Sequence, residues 1–117
     1  MKVNVQFREE ENVLKGFVEG EIDTFTASVL RQELDAVTIE KGQQIELDLS
    51  KVSYLDSTGL GIFVAFYKKI TREQAELKFV GLTARLLRLF EITGLSELMN
   101  IEYDDNDEKV EYTNERI

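Results

Sequence analysis

Val3, Val5 and Phe7 alternate with Asn4 and Gln6, and after a charged segment from Arg8 to Asn12 a second apolar stretch runs from Val13 to Gly20. Alternation with a period of two marks half-buried strands, and two such strands across a short charged connection predict a hairpin. The period then changes. Ala27, Leu30, Leu34 and Val37 recur at helical spacing behind Thr24 and Thr26, either of which can cap a helix, and Lys41-Gly42 is expected to end it. Ile45-Glu46-Leu47-Asp48-Leu49 reads as a short strand, with Ser50 to Leu55 leading out of it. From Leu60 to Ile70 apolar side chains cover nearly the whole circumference of a helix, which predicts a largely buried element.

Leu77-Lys78-Phe79-Val80 predicts the next strand, and Thr83 then caps a helix carrying Leu86, Leu87, Leu89, Phe90 and Ile92. Gly94 suits the left-handed residue that closes such a helix, and Leu98 to Tyr103 can form a last short strand. Strands alternating with helices behind an opening hairpin predict an α/β fold with right-handed crossovers between parallel strands. A mixed sheet of four to five strands is expected, with the helices packed mainly on one face.

The chain has 117 residues, enough for one core without covalent staples. It contains no Cys, His or Trp, which excludes disulfides, thiolate nucleophiles, imidazole bases and the usual zinc sites. No cofactor is expected. The alternating N-terminus has no apolar signal-peptide region, and the longest apolar run, Leu60 to Tyr67, falls short of the ~18 residues of a membrane span. These readings predict a soluble, cytoplasmic protein with no membrane contact.

Formal net charge is −9, and from Glu102 onward there are seven acids against two bases, Lys109 and Arg116. Such a surface repels nucleic-acid backbones, and no basic stripe with interleaved aromatics offsets it. The expected division is a folded domain over 1–103 and an acidic, flexible tail over 104–117. Asp104-Asp105-Asn106-Asp107-Glu108 resembles a calcium loop only in part, since Lys109 stands where the loop needs its glycine. A solvated tail is the simpler reading.

Asp56-Ser57-Thr58-Gly59-Leu60 lies between a strand and the buried helix. By itself it reads as a helix start, with Ser57 as N-cap, Thr58 opening the first turn and Asp56 suiting the positive end of the dipole. Gly20-Glu21-Ile22-Asp23, Val52-Ser53-Tyr54-Leu55-Asp56-Ser57-Thr58-Gly59-Leu60-Gly61 and Arg85-Leu86-Leu87-Arg88-Leu89-Phe90-Glu91-Ile92-Thr93-Gly94-Leu95 occur in that order. Together, across residues 3 to 103, they resemble the anti-sigma factor antagonists, whose domain has the STAS fold, and most of all those of the general-stress sigma-B system. The resemblance implies a phosphoprotein rather than an enzyme. Ser57 is the implied phosphorylation site, with Thr58 as second choice, and Asp23, Asp56, Ser57, Thr58, Gly59 and Leu60 are the implied partner-binding residues.

The implied partners are an anti-sigma factor that is also a serine kinase, and a PP2C-type serine phosphatase. The unphosphorylated form would hold the anti-sigma factor and so free the sigma factor. A monomer is expected when the protein is alone. Two segments depart from the family: Thr71 to Glu76, expected to be more helical than the usual glycine-rich turn, and the acidic tail, which replaces a short C-terminal helix.

Three other readings compete. A serine hydrolase would need a general base without histidine, and Ser57 lacks the Gly-x-Ser-x-Gly elbow. Gly59 and Gly61 lie near a helix start, but no phosphate-cradling motif surrounds them, and close packing explains them better. The last alternative is a STAS scaffold subunit of a larger stress-signalling assembly, which a large homo-assembly in size-exclusion chromatography would reveal.

Overall fold

The computed structural model describes residues 2–97 and 100–103. Among these residues the sheet has five strands in sequential order: β1 (Val3–Glu10), β2 (Val13–Ile22), β3 (Gln44–Leu55), β4 (Glu76–Leu82) and β5 (Asn100–Tyr103). Strands β1 and β2 pair antiparallel, and every later neighbour pair is parallel. The crossovers are α1 (Ala27–Asp35), α2 (Ser57–Arg72) and α3 (Ala84–Ile92), the last followed by a 3-10 turn at Leu95–Glu97. A sheet that grows in one direction through right-handed crossovers places all three helices on the same face. On β3 that face is read directly: Ile45, Leu47 and Leu49 are buried, while Gln44 and Ser50 are exposed.

The opening connection is tighter than the charge pattern suggests. Only Glu11 and Asn12, at φ 47° and 74°, form the turn, and β1 continues to Glu10 paired with Val13. Two left-handed residues make the turn whose twist suits a hairpin. Arg8 and Glu10 share the solvent face of β1, where Arg8 lies 5.0 Å over the Phe17 ring and its Nε bonds Glu10 at 2.7 Å. Lys15 approaches Glu10 at 3.2 Å. The Lys15 hydrogen bond, and after it the charge of Arg8, hold the Glu10 carboxyl below its ordinary range.

Helix α1 buries Ala27, Leu30 and Leu34 as its spacing predicts, but it ends at Asp35 rather than at Lys41-Gly42. The β-branched run Val37-Thr38-Ile39 favours extended backbone. Lys69 of α2 also caps the early end, donating to the carbonyls of Leu34, Asp35 and Val37 at 3.2, 3.0 and 2.8 Å. Helix α2 closes with Gln74 left-handed at φ 60°. There Gln74 N donates to Thr71 O at 3.0 Å and Ala75 N to Ile70 O at 3.1 Å, the Schellman pair. Only Thr71 and Arg72 of the segment expected to be more helical are helical: this motif ends α2 at Arg72, and β4 begins at Glu76.

Three rings tie the layers together. Phe79 of β4 meets Phe63 of α2 and Phe90 of α3 edge-on, both at 5.4 Å, and all three are fully buried. Thr83 caps α3 through a bond from Leu86 N, and Gly94 is left-handed at φ 82°, both as predicted. Ile92 departs from the predicted apolar face and is 70% exposed. The acidic tail, its partial calcium motif and the proposed boundary after residue 103 lie outside the described residues.

Candidate functional site

Strand β3 carries the chain to the site, and it is longer than its alternation shows. Past Leu49 its buried residues are Val52 and Leu55, spaced by three, because the ladder with β2 shifts register between Phe17 and Glu19 and again between Gly20 and Glu21. Such bulges break the period of two and turn the strand end. Beyond Asp48 the β3 ladder has no β4 partner, and a cleft of about 380 Å³ lined by Val52, Ser53, Thr83, Ala84 and Arg85 opens on that side.

At the end of β3, Asp56 rather than Ser57 is the N-cap. Its backbone is extended, at φ −113° and ψ −173°, and Oδ1 accepts from Thr58 N at 3.0 Å and Gly59 N at 3.2 Å. Asp and Ser cap comparably, so the extended backbone at Asp56, with Ser57 already helical, is what places the cap one position earlier. Ser57 becomes the first helical residue. It is exposed, and among the described residues none hydrogen-bonds its hydroxyl. Thr58 is exposed beside it, and Asp56 is half-buried.

Gly59 and Leu60 lie beneath this surface, both buried. A Cβ on Gly59 would collide with the Leu55 and Ile22 side chains, so this position lets α2 start directly against the strand ends. Gly61 has no such duty: it is exposed and its Cβ would meet nothing within 4 Å. Close packing therefore accounts for one of the two glycines.

The parallel register Ile22 to Leu55, with Asp56 N bonded to Ile22 O at 3.3 Å, brings the Asp23 turn alongside. Asp23 itself faces inward and is 7% exposed, which corrects its placement as surface. Its Oδ1 accepts from Phe25 N at 2.8 Å and Thr26 N at 3.0 Å, and the buried Thr26 hydroxyl donates to Glu21 O at 2.7 Å. Thr26, the N-cap of α1, turns its side chain to this network rather than to the helix. A buried carboxylate needs such partners. The network presents Phe25 outward, 83% exposed, a residue that the periodicity does not single out.

The STAS domain profile matches residues 4–107. The chain belongs to the STAS domain family. This STAS domain is 42% identical over 102 residues to an anti-sigma-B factor antagonist of Listeria monocytogenes, covering 86% of this chain and 90% of the relative. It is also 42% identical over 101 residues to an anti-sigma-B factor antagonist of Bacillus subtilis, covering 86% and 92%. Among solved structures, an anti-sigma factor antagonist from Mycobacterium paratuberculosis superposes with a TM-score of 0.77 at 29% identity, over 94% of this chain and 92% of that one. Among the described residues of the STAS domain, no helix is long and apolar enough to cross a membrane.

Proposed function

We propose that this STAS domain is an anti-sigma factor antagonist switched by phosphorylation of Ser57. In its unphosphorylated form it binds an anti-sigma factor that is also a serine kinase, so that the sigma factor is released. The kinase then modifies Ser57 and the complex separates, and a PP2C-type phosphatase restores the hydroxyl. The observation that carries this reading is the free, exposed Ser57 hydroxyl on the first residue of α2, beside a carboxylate that has already taken the helix cap. The names of the two 42% identical relatives support the kind of partner.

The electrostatics supply the off state. A phosphoserine carries about −1.5 to −2 charge, and the amides that would welcome it are those of Thr58 and Gly59. Both already serve Asp56. A phosphate therefore either displaces that carboxylate or stays at the surface as a second anion beside it. Pressed against a partner without a matching cation, it costs several kcal/mol to desolvate, and each ~1.4 kcal/mol is a tenfold loss of affinity.

Ser57→Ala is expected to fold, to take no phosphoryl group and to bind the anti-sigma factor constitutively. Ser57→Glu is expected to fold and to bind at least about tenfold more weakly. Titration calorimetry against the anti-sigma factor of the same genome checks both, and equal affinity of wild type and Ser57→Glu would reject the switch. Peptide mass spectrometry after incubation with that kinase and ATP locates the phosphoryl group; finding it on Thr58 would move the site by one residue.

A further inference from the structure

We propose that Phe25 is the aromatic anchor of this domain's contact with the anti-sigma factor, seated in an apolar pocket of that protein while Ser57 lies at the margin of the same contact. The inference rests on the function proposed above and adds the residue that holds the partner in place.

Phe25 is 83% exposed, against 43% for Val29, 46% for Tyr54 and 70% for Ile92, the other large apolar side chains left in solvent among the described residues. Exposure of a single apolar side chain is ordinary. Its support is not. Phe25 N donates to Asp23 Oδ1 at 2.8 Å, Thr26 N donates to the same oxygen at 3.0 Å, and Asp23 N donates to Thr26 Oγ1 at 3.0 Å. The residues on either side of this short turn, Ile22 and Ala27, are core members. The backbone beneath the ring is therefore held by two buried hydrogen bonds and one part-buried one, and little loop freedom remains to be lost on association.

Position identifies the occupant. Ile22, three residues before Phe25, lies under Gly59, and its carbonyl accepts from Asp56 N. The Phe25 turn and the start of α2 are thus adjoining parts of one corner, so a protein covering Ser57 reaches this ring as well. Val29, four residues on, extends the apolar surface onto the first turn of α1. A pre-positioned aromatic at the centre of a contact is the usual source of affinity, and nearby charge mainly governs specificity and switching.

The test uses the full chain and the purified anti-sigma factor of the same genome. Phe25→Ala is expected to bind at least about tenfold more weakly by titration calorimetry, with an unchanged melting temperature and Phe25→Leu recovering part of the loss. In phosphoryl transfer to Ser57, Phe25→Ala is expected to raise KM and leave kcat nearly unchanged. Wild-type affinity in Phe25→Ala, alongside weakened Ser57→Glu, overturns the anchor and leaves the switch standing. Equal binding by wild type and Ser57→Glu, or no binding by either, overturns the switch and the anchor with it. If light scattering shows that wild type dimerises and Phe25→Ala does not, the ring serves a second copy of the chain and the assignment fails.

Discussion

At Ser57 the hydroxyl is free because the residue before it has taken over the helix start. Asp56 satisfies two amides that would otherwise be unpaired, so Asp56→Ala is expected to cost about 1–2 kcal/mol in urea denaturation, with Asp56→Asn losing much less. Ser57→Ala should leave the same curve nearly unmoved, which separates the cap from the switch. The sequence made a helix start legible here but not its register, because Asp and Ser cap almost equally well and the choice falls to the backbone that β3 delivers. Asp23 was legible as an acidic residue near the site and illegible as a buried one. Its orientation depends on Thr26 and Glu21 closing a ring of hydrogen bonds, which no periodicity encodes.

Two helix ends give a matched pair of tests. Gln74 and Gly94 both occupy the left-handed position after a helix, at φ 60° and 82°. Gln74→Gly removes a side-chain clash and is expected to stabilise by up to about 1 kcal/mol, while Gly94→Ala is expected to destabilise by about as much. A Cβ at Gly94 meets nothing within 4 Å, so the backbone alone sets that loss. Urea midpoints for the two variants should move in opposite directions. Elements with unbroken periods, α1, α2 and the first half of β3, were readable from spacing alone. The second half of β3 was not, because two register shifts replace alternation by Leu49, Val52 and Leu55 at intervals of three. Nor was the end of α1, whose carbonyls are met by Lys69, a residue 32 to 35 positions away.

At the scale of the molecule, the Phe63, Phe79 and Phe90 rings join two helices through one strand. Phe79→Ala is expected to cost about 3–5 kcal/mol, a large share of the ~5–15 kcal/mol that holds an ordinary domain together. A fall of that size in unfolding free energy, measured in urea, checks it. A shift below 1 kcal/mol would mean that the layers are tied elsewhere. Order of elements and the one-sided placement of helices followed from the alternation of periods together with the handedness of crossovers. The arrangement also has an asymmetry. The twelve residues of β3 outrun the seven of β4, so the stretch leading to Ser57 is fastened along one flank alone. Loosening of the native state is expected to begin at that overhang. Whatever clamps the corner then stiffens the least secure part of the sheet, so occupancy there registers as rigidity along the strand as well as at the serine.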